Sequence, residues 1–197
     1  IWLTGLQQYS MMRKIRESLA GRIGIAELYG LSQSEIKGVE FSNELDFSLP
    51  CLLERKAIAG KIDAVEVFDF IWRGGMPQII SASADMREEY FNSYTETYLM
   101  RDASEDGGIA NTMRFRKFLS ACAALAGEQV NYRNLAEAAD ISQPTAKEWL
   151  NVLCGMGIVF LLPPFSNNAL KRLTKTPKLY FCDTGLCAYL SRWLSRD

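Results

Sequence analysis

The sequence contains no histidine, the residue that most often serves as a general base in enzymes. A Ser-His-Asp or Cys-His catalytic arrangement is therefore excluded, and a zinc site is not expected. The phosphate-binding pattern G-x-x-x-x-G-K-[ST] is also absent from the 197 residues. These absences exclude the hydrolase and nucleotide-binding sites that a sequence most readily reveals.

The sequence also lacks an apolar run long enough to span a membrane, and it contains no recognisable signal peptide. Its five cysteines include no C-x-x-C pair, and an odd number does not suit a complete disulfide framework. Two of them, Cys122 and Cys154, fall on the apolar faces of predicted helices. We therefore expect reduced, buried thiols in a cytoplasmic protein with no membrane partner.

Charge is distributed unevenly along the chain, although the net charge is only −1. Residues 31–113 hold seven bases and fifteen acids, whereas residues 114–197 hold eleven bases and six acids. A basic C-terminal part suits a module that faces phosphate. The same asymmetry would also allow the two parts of the chain to pair with each other.

The most informative stretch is 131–186, which predicts two short helices, a strand, a basic turn and a second strand. Asn134 is the expected N-cap of the first helix, and Ser142 is the expected N-cap of the second. The second helix carries one apolar face at spacings i, i+3, i+4 and i+7, made by Ala146, Trp149, Leu150 and Leu153. Helix, turn, helix and hairpin in this order predict a winged-helix module.

In DNA-binding modules of this kind the second helix enters the major groove and the hairpin contacts phosphate. The candidate DNA-binding residues are Gln143, Thr145 and Lys147 on the helix and Lys171, Arg172, Lys175 and Lys178 in the hairpin. The exposed face of the helix carries one basic residue, and its Glu148 would repel phosphate. The alternative interpretation is therefore a winged helix that makes protein contacts.

The remaining elements are predicted to be mainly helical, so the expected fold class is mainly α with a few strands. The helix over 87–101 carries Tyr90, Tyr94 and Tyr98 at every fourth position, a stripe that is typical of packing. A break at 106–108 predicts a domain boundary, which divides the chain into 1–106 and 107–197. The apolar face of a final helix over 186–194 is expected to be exposed, or covered by a region outside the chain or by a second copy.

Five motifs occur in the order seen in one known group of proteins: WLTGLQQ, ESLAGRIGIAELYGLSQSE, WRGGMPQ, EEYFNSYTETYLMRD and KRLTKTPKLYFCDTGL. In this order the chain resembles the prokaryotic AAA-type ATPases, known as ATP-binding proteins, that carry a C-terminal domain of unknown function. The resemblance implies that 1–106 holds the end of an ATPase core and a helical lid. It implies that 107–197 is a winged-helix module with a C-terminal helix.

The resemblance also implies roles for three residues near the start of the chain. Thr4 or Gln7 would stand where such ATPases orient the attacking water, and Arg22 would face a nucleotide phosphate, since a guanidinium stabilises charge on a transferring phosphoryl group. ATP and Mg²⁺ would be cofactors of a larger protein. Because the phosphate-binding loop and the magnesium-binding acids are absent, this fragment is expected to be inactive and to bind neither tightly.

The resulting functional expectation is a fragment whose winged helix couples nucleotide state to a downstream module, with duplex DNA and a second copy of the chain as candidate partners. The fragment would lack both the phosphate-binding loop upstream and a nuclease-like region downstream. Two alternatives remain: a self-standing winged-helix DNA-binding regulator, and a scaffold that makes protein contacts only.

Overall fold

The computed structural model describes residues 24, 26–41, 44–83, 85–105, 107–168 and 175–193. It is mainly helical with one two-stranded antiparallel sheet, which confirms the expected mainly α class with minor β. The helices are α1 (Gln33–Ile36), α2 (Leu49–Ala59), α3 (Ala64–Arg73), α4 (Pro77–Ser81), α5 (Met86–Ser93), α6 (Met100–Glu105), α7 (Thr112–Ala124), α8 (Tyr132–Ala139), α9 (Gln143–Gly155) and α10 (Thr184–Leu190). The strands are β1 (Val159–Leu162) and β2 (Lys178–Phe181).

The first helices begin at polar caps that the sequence supplies. Ser32 and Glu35 form a reciprocal capping box at α1, in which the backbone N–H of Ser32 donates to Glu35 Oε2 at 2.8 Å. Ser48 caps α2 and Asp63 caps α3. The mixed composition and weak periodicity of residues 36–63 predict a loop with one short helix, yet α2 has 11 residues. The Ser48 cap and a proline in the first turn explain why a helix begins there.

Helices α5 and α6 are joined by one wider turn, a π-helix over Tyr94–Leu99. The tyrosine rings of this segment stack along one side: the Tyr90 and Tyr94 centroids lie 6.2 Å apart, and those of Tyr94 and Tyr98 lie 5.1 Å apart. All three pack against the hydrophobic core, and burial raises the pKa of Tyr94. The expected packing role of the tyrosine stripe is confirmed.

An aromatic cluster holds α7 against α9. Phe115 and Phe118 are fully buried on α7, and the Trp149 ring meets both of them edge-on, at centroid distances of 5.4 and 5.6 Å. The four apolar residues predicted to face inward on α9 are all buried. This cluster confirms the helical spacing that the sequence predicted, and it leaves the opposite side of α9 turned outward.

The caps of α8 and α9 are close to their predicted places, with one correction. Asn131, not Asn134, caps α8, because its Oδ1 accepts the backbone N–H groups of Arg133 and Asn134, each at 3.1 Å. Helical conformation therefore begins three residues earlier than the apolar pattern suggested. Asp140 ends α8 in the left-handed conformation at φ 55°, and Ser142 caps α9 as predicted.

The strands β1 and β2 pair in antiparallel register, with Phe160 opposite Tyr180 and their rings stacked at 5.6 Å. The other edge of β2 bonds to the turn after α7. The backbone N–H of Leu179 donates to Glu128 O at 3.0 Å, and that of Gly127 donates to Leu179 O at 2.7 Å. The hairpin is thereby attached to the turn between α7 and α8, and its strand β1 also contacts α9.

The C-terminal helix α10 packs on α3 and also contacts α7. Leu186 and Leu190 are buried, and the indole Nε1 of Trp72 donates to the carbonyl oxygen of Trp193 at 3.1 Å. The expectation that this face would be exposed, or covered from outside the chain, is therefore wrong. A helix more than a hundred positions earlier in the chain covers it, and periodicity alone does not reveal such a partner.

None of the helices in the described part of the chain combines the length and the apolar character that a membrane crossing requires.

Candidate functional site

The outward side of α9 carries the three helical residues that were predicted to contact DNA. Gln143 and Lys147 are exposed. Thr145 is half-buried because its hydroxyl belongs to the helix cap: Thr145 Oγ1 lies 2.7 Å from Ser142 Oγ, which also accepts the Thr145 backbone N–H at 3.2 Å. The cap therefore holds Thr145 close to the backbone, while Gln143 and Lys147 extend into solvent.

The hairpin supplies the second part of this candidate interface. Lys175 and Lys178 are exposed, and Lys178 begins β2 opposite Leu162. The other two predicted residues of the basic turn, Lys171 and Arg172, lie outside the described residues. Strand β1 follows α9 directly in the chain. Two of the four hairpin cations, Lys175 and Lys178, therefore lie on the surface of the unit formed by α7, α8, α9, β1 and β2.

Arginines elsewhere in this unit are held by nearby acids. Arg114 Nη2 lies 2.6 Å from Asp140 Oδ2, Arg133 Nε lies 2.9 Å from Glu137 Oε1, and Arg116 pairs with Glu96. In contrast, no ion pair joins Lys147, Lys175 or Lys178 to another described residue. The lysines on α9 and the hairpin are thus free of ion pairs with described residues and can contact an external phosphate.

A second group of charged residues lies buried in the interior, where the turn after α3 approaches the start of α10. The carboxylate of Asp183 accepts two backbone N–H groups: Gly75 donates to Oδ2 at 2.8 Å, and Leu186 donates to Oδ1 at 2.7 Å. One oxygen therefore caps α10 while the other holds the turn that follows α3.

Arg87 completes this contact from α5. Its Nε donates to Trp72 O at 2.7 Å, its Nη2 donates to Gly185 O at 3.1 Å, and its guanidinium carbon lies 4.0 Å from the Trp72 ring centroid. The residue is only 4% exposed. We call Gly74, Gly75, Arg87 and residues 183–186 the Asp183 junction, because one carboxylate and one guanidinium join three separate parts of the chain there.

Glycines allow the backbones of the Asp183 junction to approach so closely. A Cβ on Gly185 would lie 2.6 Å from the carbonyl carbon of Arg73, and one on Gly74 would lie 2.5 Å from Asp183 Oδ1. Gly74 also has φ +81°, a conformation that favours glycine. The sequence motifs RGG and DTG are therefore signatures of backbone contact.

The electrostatics of the junction reflect its burial. Burial raises the pKa of Asp183, and this is opposed by the N–H groups of Leu186, Gly75 and Gly185 and by the nearby Arg87. Burial likewise lowers the pKa of Arg87, opposed first by Asp183. Both groups are engaged with backbone atoms, so the junction holds segments together and presents no open reactive group. No role for Asp183 or Arg87 was predicted from the sequence.

No metal centre is apparent among the described residues, where no three Cys, Asp or Glu side chains gather to hold an ion. The cysteines in the described residues are free thiols. Burial raises the pKa of Cys187 to about 11, which keeps it protonated and poorly nucleophilic at neutral pH.

A family model described as Domain of unknown function (DUF8612) matches residues 65–197 of the chain. The chain belongs to this family. The DUF8612 match begins within α3 and includes both the outward side of α9 and the Asp183 junction. Helix α2 and the first predicted site residues, Thr4, Gln7 and Arg22, precede it.

Two curated relatives of this DUF8612 chain are the uncharacterized proteins Rv2008c of Mycobacterium tuberculosis and Mb2031c of Mycobacterium bovis. Each is 28% identical to the chain over 172 residues, which cover 86% of this chain and 33% of the relative. The chain thus spans about a third of the length of these relatives. No solved structure matches it.

The expected identity as an AAA-type ATPase is wrong, because the chain matches a domain of unknown function and uncharacterized proteins and no AAA ATPase family. Two of the motifs behind that resemblance have a structural explanation: WRGGMPQ and the CDTGL end of the last motif meet in the Asp183 junction, through the Asp183 carboxylate and close backbone contacts. Such motifs identify a packing arrangement, which carries no nucleotide chemistry by itself. Thr4, Gln7 and Arg22 lie outside the described residues, and their nucleotide-sensing roles, with ATP and Mg²⁺, followed from the resemblance alone.

Proposed function

We propose that the unit from α7 to β2 is a winged-helix module that binds duplex DNA through α9 and the basic turn of the hairpin. The observation that carries this proposal is the uncovered polar side of α9, with Gln143 and Lys147 exposed on a helix whose other side is fixed by the buried Trp149. In modules of this architecture that side of the second helix enters the major groove.

The hairpin lysines complete the proposed interface. Lys175 and Lys178 are exposed and lack ion-pair partners among the described residues, so they meet phosphate without first breaking an internal contact. Phosphate contacts give affinity and orientation, and base contacts give sequence preference. With Gln143 as the main exposed group suited to a base edge, we expect binding of low sequence specificity in which phosphate contacts dominate.

Salt dependence tests this mode of binding. If Lys147 and the four hairpin cations all contact phosphate, the logarithm of the binding constant should fall with the logarithm of salt concentration with a slope of about −4 to −5. The Lys171/Arg172/Lys175→Ala variant should reduce the magnitude of that slope by about 3 and weaken binding to every sequence tested. Fluorescence anisotropy with labelled duplexes at several salt concentrations measures both quantities.

A matched control is Lys61→Ala, which removes the same charge from an exposed position between α2 and α3. It should leave both the affinity and the salt slope unchanged, whereas Lys147→Ala or Lys178→Ala should each reduce the slope by about 1. Equal effects of Lys61→Ala and Lys178→Ala would mean that only net charge matters, and would contradict the proposed interface.

A second candidate function is protein contact through the same module. Glu148 lies exposed beside Lys147 on α9, and the hairpin exposes the apolar side chains of Phe160 and Phe165. The carboxylate of Glu148 would repel a DNA phosphate, whereas aromatic side chains are enriched at protein interfaces. Absence of duplex binding by the wild-type chain at low salt would exclude the DNA proposal and favour this scaffold role.

A further inference from the structure

The outward face of the hairpin sheet carries two aromatic rings and a lysine. Residues that stand opposite each other in an antiparallel sheet lie on the same face, and so do alternate residues along one strand. Phe160 stands opposite Tyr180, and Leu162 stands opposite Lys178, so these four residues share one face. The intervening residues of β2 are buried and form the inward face.

The turn after α7 extends the outward face by one position. Gln129 forms an antiparallel bridge with Lys178 and is exposed, so it lies on the same face as the lysine. Glu128 stands opposite Leu179, whose backbone N–H donates to its carbonyl oxygen, and therefore belongs to the other face. No acid is thus aligned with the lysine in these three segments. We define the aromatic face by the aligned outward residues Gln129, Phe160, Leu162, Lys178 and Tyr180.

The Phe160 ring offers an open surface at the edge of this face. Its centroid lies 5.6 Å from that of Tyr180, with 19° between the ring planes, so the two rings stack across the strands. Strand β1 is the outer strand of the described sheet, and no described strand flanks Phe160 on its far side. Phe160 is 45% exposed. A further planar ring can therefore extend the stack beyond Phe160.

The charge beside the rings indicates which planar group suits this surface. Lys178 is exposed and forms no ion pair with another described residue, and Lys175 is exposed three positions earlier. A nucleotide presents a flat base and an anionic phosphate, and proteins hold unpaired strands by combining aromatic side chains with cations. Duplex DNA suits the rings less well, because its bases are already stacked inside the helix.

We propose that the aromatic face binds an unpaired DNA strand, with one base stacked on Phe160 and a phosphate on Lys178. These two residues are diagonal neighbours across the strands, about 7 to 8 Å apart in such sheets, which suits a base and a phosphate close to it. The Gln129 amide can bond to a base edge or a sugar. The choice of DNA over RNA rests on the proposed duplex binding, in which Lys178 also takes part, whereas the stacking does not.

Binding of labelled oligothymidylate of about twelve nucleotides, followed by fluorescence anisotropy at low salt, tests the stacking. Phe160→Ala should weaken binding by about tenfold or more, the effect expected for loss of one base stack. Phe160→Leu should weaken it to a similar extent, because leucine is apolar but has no ring, whereas Phe160→Trp should retain the affinity. Phe47→Ala is the control, since it removes an 85% exposed ring before α2 and should change nothing. Circular dichroism verifies that each variant is folded.

A strand with the same phosphates but no bases separates stacking from charge. This abasic strand should bind the wild-type chain about tenfold or more weakly than oligothymidylate does, and Phe160→Ala should weaken it no further. Lys178→Ala should weaken the binding of both strands, because both carry phosphate. Binding to a blunt duplex should be the same for Phe160→Ala and the wild type.

Three results would overturn the proposal: no binding of oligothymidylate by the wild-type chain at low salt, full affinity in Phe160→Leu, and equal affinity for the abasic strand. Tighter binding of oligouridylate than of oligothymidylate would overturn the assignment to DNA. Loss in both Phe160→Ala and Phe160→Leu, with no such effect on the abasic strand, would support stacking. A wild-type chain that binds oligothymidylate but no blunt duplex would contradict the proposed function alone, and the converse would contradict only the aromatic face.

Discussion

Gly185→Ala is expected to lower the free energy of unfolding by about 3 kcal/mol or more, since overpacking against backbone leaves no flexible side chain to yield. The added Cβ would lie 2.6 Å from the Arg73 carbonyl carbon and 2.8 Å from the Gly74 amide nitrogen. Relief of that clash requires α10 to separate from the end of α3, which also breaks the Asp183–Gly75 hydrogen bond. Urea unfolding followed by circular dichroism measures the loss.

Gly24→Ala provides the matched control for this substitution. No heavy atom lies within 4 Å of a Cβ placed on Gly24, and its backbone is not in the left-handed region, so the change in stability should stay within about 0.5 kcal/mol. A Gly185→Ala variant as stable as the control would show that α3 and α10 do not approach as closely as described.

Local features of the fold were predictable because they depend on residues close together in sequence. The Ser142 cap, the capping box at Ser32 and Glu35, and the buried side of α9 each follow from side chains within one or two helical turns. Cap donors and acceptors act over three residues, and an apolar stripe repeats every three or four. These signals can be read from the sequence without any knowledge of the tertiary structure.

Features that depend on distant partners were missed. The bond from Arg87 to Gly185 spans 98 positions, and the bond from Gly75 to Asp183 spans 108. Sequence alone showed two glycine-containing motifs but not that they meet. The partner of α10 was missed for the same reason. Its apolar face predicts that the helix is buried but does not indicate that α3 is the element that covers it. Leu49, Leu52 and Leu53 of α2 are exposed, and periodicity alone does not predict that an apolar stripe faces solvent.

The candidate site divides in the same way. Placement of Gln143 and Lys147 on the outward side of α9 was predictable because the inward side was already fixed by Trp149 and Leu150. The ion pair of Arg114 with Asp140 was not predictable, because it joins residues 26 positions apart. Because such ion pairs neutralise part of the positive charge of residues 114–197, fewer cations are available to a phosphate than the sequence count suggests.

The carboxylate at the Asp183 junction has two separable tasks, which two substitutions distinguish. One oxygen caps α10 through Leu186, and the other holds Gly75 across the junction. Asparagine is as good a helix cap as aspartate but has only one acceptor oxygen, whereas alanine has none. Either replacement also removes the carboxylate that most favours the charge of the buried Arg87, and burial of an unpaired charge is costly, so the two variants differ by the loss of the cap in alanine.

Asp183→Ala is therefore expected to cost about 3 kcal/mol of unfolding free energy, and Asp183→Asn about 1 to 2 kcal/mol. Hydrogen exchange should show faster exchange at the Gly75 and Leu186 amides in the alanine variant, and mainly at Gly75 in the asparagine variant. Asp63→Ala is the control, since Asp63 caps α3 through Glu66 without bonding a second segment, and should cost about 1 kcal/mol. If Asp183→Ala costs no more than Asp63→Ala, the carboxylate serves as a helix cap alone, and the two glycine motifs are held together by packing without it.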